Sequence, residues 1–432
     1  MKDRLKISAL LAAAIFSGTA LAYSPRNPWA LLSALGVLFA CLSMRTHLKA
    51  RFAAALGLLL IAIPYAGIQN TFLFELFTQM GIFAAMALGL NIVVGMAGLL
   101  DLGYAAFFAI GAYTWAIFGS AQASNFMVGN FPLPGWPYFY IFCALAVVAA
   151  ALLGTLIGLP ALRLRGDYLA IVTLGLGQTV RVLANNLDQP VNITNGPQGI
   201  TPIERPPIGW IESLLNAAGL EGSPAVGYAI FFYLLVLAVI GIVVLVNLRL
   251  DRSRFGRAWV AIREDELAAR AVGISPTRTK LQAFATGAAF SGVMGAIFSA
   301  KQLFVSPESF TLLQSITILA MVILGGMGSI RGALIGAMAV TLLNIELLKS
   351  LSEFLVRLRQ SGYVLNLGLF SFDFASLSDQ VEPAKYERMI FGVILVLMMM
   401  FRPSGLIPET RHLLEEQAER ETESPRTPPG AP

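Results

Sequence analysis

The sequence predicts an all-α, polytopic integral membrane protein with about 10–12 transmembrane or re-entrant helices. Three observations predict it. Of 432 residues, 56% are hydrophobic and 13% charged, with a mean hydropathy of +0.72, whereas soluble domains carry about a quarter charged residues. The apolar residues form continuous runs approaching the ~20 that a helix needs to cross a hydrocarbon core, not the alternation of a transmembrane barrel. Between the runs lie short loops in which Lys and Arg collect.

In chain order, the candidate spans of the first half are Ile7 to Ala22, Trp29 to Met44, Phe52 to Ile68, Leu76 to Leu99, Leu102 to Phe118 and Tyr138 to Leu159. The second half adds Tyr168 to Leu183, Val226 to Val246, Leu281 to Ala300, Thr311 to Leu324, Ala333 to Leu348 and Met389 to Phe401, several of them short enough to be re-entrant or interfacial. If every span crosses, Lys2, Arg4 and Lys6, then Arg45, Lys49 and Arg51, then Arg163 and Arg165, then Arg249, Arg252, Arg254 and Arg257 share one side. The positive-inside rule makes that side cytoplasmic, with both termini inside and Ala121 to Pro137 and Asn185 to Ala225 outside. Lys301, at the outer end of its span, departs from this pattern. The first run reads as an uncleaved helix; the alternative is a signal peptide, since Ala20-Leu21-Ala22 has the small-residue form of a cleavage site. Residues 1–70 thus form an N-terminal group of membrane helices, 71–402 a core carrying a long basic loop at 248–281, and 403–432 a polar tail expected to lack a packed structure.

Several function classes drop out. The net charge of +5 reflects membrane orientation, because the cations form no stripe for nucleic acid. Cys41 and Cys143 lie in apolar runs without metal-ligand spacing, so neither a disulfide framework nor a metal site is expected. There is no G-x-x-x-x-G-K-[ST] phosphate loop, so the chain itself does not bind ATP in that manner. Its two histidines, His47 and His412, fall outside the spans, and no nucleophile and base pair up, so an enzyme is not expected. Asp101, Arg181 and Glu346 are the main ionisable residues near the bilayer, all close to span ends. Ion-coupled secondary transport therefore has little support.

Glycines crowd the stretch Gly89 to Gly111, where small residues let helices approach in lipid. Two roles are open to Asn91 within it: lining a pathway or bridging helices. Asp101 reads as a cap for a helix starting at Leu102. After Gly166-Asp167-Tyr168-Leu169-Ala170, one helical face would present Thr173 or Leu174 with Gln178 and Arg181. Arg181 would either line a path or snorkel. Asn91, Thr173, Gln178 and Arg181 are thus the candidate path residues. In the 248–281 loop, Trp259, Ile262, Ala269 and Val272 recur at helical spacing beside Arg263, Glu264, Asp265, Glu266 and Arg270, and Gly273 has the position of a C-cap. Such a helix, Arg257 to Gly273, suits docking in a groove of a soluble partner better than a purely basic lipid-binding face would. Gly325 to Gly332 forms a tight inner turn that echoes Gly95 to Gly103.

Taken in order, Gly89-Leu90-Asn91, Gly98 to Gly103, Gly166 to Ala170, Asn195 to Ile200, Arg263-Glu264-Asp265-Glu266-Leu267-Ala268-Ala269-Arg270, Gly325 to Gly332 and Arg402-Pro403 resemble the permease subunits of branched-chain amino-acid ABC transporters, of the LivM type, over roughly Gly81 to Leu406. That resemblance implies a bacterial inner-membrane importer with a sister permease, two cytoplasmic ATP-binding subunits and a periplasmic binding protein delivering leucine, isoleucine or valine. It makes Arg263, Glu264, Asp265, Glu266, Ala268, Ala269, Arg270 and Gly273 the ATPase-coupling helix. ATP would be bound by the partner subunits, and this chain would hold no cofactor and no metal. Gln178, where relatives often carry glutamate, the added outer length at 352–387 and the long tail leave importers of urea, amides or other amino acids as the alternative.

Overall fold

The computed structural model describes residues 2–43, 48–161, 166–217, 224–360, 364–366, 371–373, 386–402 and 404–408. Arg45, His47, Arg163, Arg165, Pro403, more than half of the segment 352–387 and the tail beyond 408 lie outside the described residues.

The apolar runs become helices because only a helix satisfies every backbone group within one segment. Helices α1 (Lys2–Tyr23) and α2 (Pro28–Ser43) form a hairpin, followed by α3 (Leu48–Gly57), which passes through a π turn into α4 (Ile63–Gln69). Next come α5 (Phe72–Asn91), prolonged by a π turn to Met96, then α6 (Ala105–Phe118), α7 (Gly135–Ala161), α8 (Asp167–Asn186), the short α9 (Gly209–Ala217) and α10 (Pro224–Asp251). Two short helices, α11 (Arg254–Glu264) and α12 (Glu266–Ala271), lead into α13 (Pro276–Gln302), α14 (Leu312–Gly325) and α15 (Ile330–Leu342). The chain then runs through α16 (Leu348–Gln360), a small antiparallel pair of β1 (Val364–Asn366) and β2 (Ser371–Asp373), and α17 (Glu387–Phe401).

Among the described residues, seven helical segments are long and apolar enough to cross a membrane, and four shorter ones are apolar as well. This is a multi-pass membrane protein. The expected span Tyr168 to Leu183 is helical within α8, but α8 is not among these apolar segments. Its threonines, Gln178, Arg181 and terminal asparagines dilute the run, so it is amphipathic rather than uniformly apolar.

Loops gather at two ends. At one, the N–H groups of Leu406 and Ile407 donate to the carbonyls of Leu324 and Gly325, close to the 326–329 turn. At the other, Ile200 and Val305 form an antiparallel bridge, Gln122 Nε2 donates to Asn192, and Lys301 pairs with Glu75 at 2.7 Å. The departure that Lys301 represented is thereby neutralised in place.

Between these ends, α5 and α13 sit at the centre, meeting through small residues as lipid-embedded packing requires. A side chain at Gly287 of α13 would come within 2.8 Å of the Gly89 carbonyl of α5, and α6 packs on α13 just as closely, since one at Gly111 would collide with the Gly292 carbonyl. Tyr104 donates its hydroxyl to the Gly287 carbonyl at 2.8 Å. The N-terminal helices α1–α4 build a second cluster of their own around Leu21, Leu31, Leu58 and Ile63, resting on the start of α5.

Candidate functional site

The 248–281 loop starts with a cap. Ser253 accepts hydrogen bonds from the N–H groups of Phe255 and Gly256 at 3.1 and 3.3 Å, satisfying donors that open α11. Gly256 then lets α11 fold back against the end of α10, since a side chain there would strike the carbonyls of Leu250 and Asp251. Trp259, almost wholly buried, anchors the helix by donating Nε1–H to the Thr279 carbonyl at 2.9 Å.

The single helix expected from Arg257 to Gly273 is two. Asp265 is extended, with φ −152° and ψ 112°, and ends α11. Its carboxylate caps α12 by accepting from Leu267 and Ala268 N–H at 2.7 and 3.0 Å. Because the chain restarts in a new direction, one face does not persist: Trp259, Ile262 and Ala269 are buried, but Val272 is 77% exposed. Gly273, at φ +86°, closes α12 with a Schellman motif, its N–H donating to Arg270 and that of Ile274 to Ala269.

The charges divide into two sets. Arg263 donates from Nη1 to the Gly95 carbonyl at 2.6 Å, fastening the loop to the π turn of α5. Glu266 bridges Arg270 at 2.6 Å and the largely buried Lys280 at 2.9 Å, fastening α12 to α13. The Lys280 hydrogen bond, helped by Arg270, holds the Glu266 carboxyl below its ordinary range. Glu264, Asp265, Ala268, Arg270 and Gly273 face outward. Between them stands Leu267, 67% exposed. The loop thus exposes two apolar side chains, Leu267 and Val272, among both signs of charge, on a base tied down at two points.

The four candidate path residues lie at separate levels. Asn91 is fully buried near the end that carries the 248–281 loop and accepts from Gly328 N–H at 2.9 Å, bridging α5 to the 325–329 turn. The two glycine motifs that echo each other in sequence meet here, a side chain at Gly95 colliding with Gly328. Thr173, buried in the bundle, accepts from Leu102 N–H at 3.1 Å. Gln178 is half-buried farther along α8. Arg181, at the opposite end, pairs with Glu308 at 2.6 Å rather than standing alone. None of the four lines the large cleft beside the N-terminal helices. Asp101 does not cap a helix at Leu102: it accepts from Gly103 N–H at 2.9 Å in the turn before α6, which starts at Ala105 because residues 97–104 form no regular helix.

Residues 72–399 match the family described as branched-chain amino acid transport system, permease component. The chain belongs to this family. Among its relatives, the high-affinity branched-chain amino acid transport system permease protein LivM of Salmonella typhimurium is 39% identical over 372 residues, covering 83% of this chain and 76% of the relative. LivM of Escherichia coli K12 is 39% identical over 376 residues, with 84% and 76% covered. The corresponding permease protein LivH of the same strain is 22% identical over 332 residues, with 75% and 91% covered. No solved structure matches. In this permease the sequence alone did not single out Lys280 or the exposure of Leu267. The signal for Lys280 was available, as a cation 14 residues after an acidic one across a capped turn.

Proposed function

We propose that the chain is the membrane-spanning permease subunit of an ATP-driven importer for leucine, isoleucine and valine, taking substrate from a periplasmic binding protein. It sits in the bacterial inner membrane with both termini in the cytoplasm, beside a sister permease and above two cytoplasmic ATP-binding subunits. The chain carries no catalysis itself, and ATP is bound by the partners. The observation that supports this best is the docking loop: a membrane protein of this family exposes Leu267 and Val272 among charges on α12, at the end where its basic loops collect. Closure of the ATP-binding subunits would move that loop, and the Arg263–Gly95 and Glu266–Lys280 ties would pass the movement to α5 and α13.

The test is to purify the tagged chain from native membranes in mild detergent, identify stoichiometric companions by mass spectrometry, and compare leucine and urea uptake in cells with and without it. A second permease and ATP-binding subunits, with leucine uptake dependent on the chain, are expected. Recovery of the chain alone, with uptake abolished by an ionophore, would replace the reading by ion-coupled carriage. Urea-specific uptake would keep the machine and change its cargo.

A further inference from the structure

A cleft of about 810 Å³ opens between α2, α3, α5, α10 and α15. Its walls are apolar, with Phe77, Leu237, Ile240 and Met338 among them, and Tyr233 spends its hydroxyl on the Leu59 carbonyl at 2.6 Å. The charged groups lie at one mouth, where α3 and α15 begin and α10 ends: among the described residues, Arg51, Arg252 and Arg331 line it with one carboxylate, Asp251. Arg51 and Arg331 are held there by bonds from their guanidiniums to the carbonyls of Cys41 and Leu42 that end α2. Each guanidinium has five N–H donors, so both keep donors beyond those bonds.

We infer that this cleft is a binding site for an anionic phospholipid, whose phosphodiester sits among Arg51, Arg252 and Arg331 while an acyl chain fills the apolar slot along α10. An amphiphile matches a site that is charged only at its mouth and oily along its length, and basic pockets between transmembrane helices at the cytoplasmic face take such headgroups. A zwitterionic amino acid fits less well, because it needs an anionic and a cationic partner along its passage and the slot offers neither beyond the mouth. A helix of a second membrane protein would leave the surplus of positive charge at the mouth unmatched. The site would join the N-terminal helices to the core through lipid, whichever substrate the permease moves.

Gly241 supplies an independent handle. It lines the slot, and a side chain added there meets nothing within 4 Å. Gly241→Leu therefore blocks the acyl position without touching a charge or straining the fold, whereas Arg252→Gln with Arg331→Gln removes charge and leaves the slot open. The full chain with its companion subunits would be purified from native membranes, its retained lipids quantified by mass spectrometry, and its melting measured in vesicles of phosphatidylcholine with and without phosphatidylglycerol. The parent is expected to retain phosphatidylglycerol and to melt higher in its presence, and both variants to lose about tenfold of that retention together with the melting shift. Equal retention of phosphatidylcholine and phosphatidylglycerol by the parent would overturn the assignment. So would undiminished retention by Gly241→Leu, or crosslinking of a photoreactive residue at position 241 to another polypeptide instead of lipid.

Discussion

The central segment Phe72–Met96 has a mean hydropathy of 1.7 and is 83% buried in its most apolar stretch, while α10, at 3.2, is only 33% buried. Segments Pro276–Gln302 and Gly135–Pro160 repeat the contrast, at 1.5 with 72% and 2.5 with 28%. In a soluble protein the order would be reversed. Here the most apolar helices lie at the outside of the chain, and its interior goes to helices whose glycines and alanines permit backbone contact, the packing that suits a lipid environment. High hydropathy thus marks the outer helices of the chain, and small residues mark its packed centre.

The strongest way to break that contrast is Gly111→Leu, which forces a side chain into the Gly292 carbonyl. We expect a cost of about 3 kcal/mol or more, read as loss of a monodisperse peak in detergent. Gly175→Ala, where an added Cβ meets nothing within 4 Å, should stay within about 0.5 kcal/mol. Next in size, Leu267→Asp removes exposed apolar surface on α12. ATP-binding subunits should copurify at about a tenth of the parent level, with membrane insertion intact. Normal copurification would remove α12 from the docking surface. Glu266→Arg is a poorer test of docking, since that carboxylate holds the loop to Lys280.

A third effect depends on pH. The Glu266 pKa is lowered in the folded loop, so its stabilisation is complete above the unfolded glutamate value of about 4.3 and disappears as pH falls through the folded value. Hydrogen exchange at Ala268 and Ala269, corrected for intrinsic rates, should accelerate over that range in the parent and show no such step in Glu266→Gln. The smallest effect belongs to Arg181 and Glu308, which are partly exposed at 28% and 63%. A double-mutant cycle should give a coupling below about 1 kcal/mol, and Arg181→Ala should lower leucine uptake clearly more than Glu308→Ala only if the cation contacts substrate.

Most of the helices were legible because length and continuity of apolar runs are local properties. The breaks were not. Asp265 sits in an unbroken polar helix pattern, and only its carboxylate reaching Leu267 and Ala268 shows that one helix ends and another begins. Asp101 preceded an apolar run and had the look of a cap, but long-range contacts of Gly103 with α8 and of Tyr104 with α13 delay the helix to Ala105. The composition of the 248–281 loop could be read directly, whereas the division of its charges between internal ties and outward surface depended on Lys280 and Gly95, distant in the chain from α12 and α11.

The seam made by Leu406 and Ile407 on the C-terminal end of α14 has a practical side. The carbonyls of Leu324 and Gly325 depend on it, and Gly326 lies so close to the returning chain that an added Cβ would come within 2.5 Å of the Ile407 carbonyl. A purification handle or a fused reporter therefore belongs after residue 408, where it leaves this closing stitch intact, and a chain cut back to Phe401 would enter the bilayer with its final fastening undone.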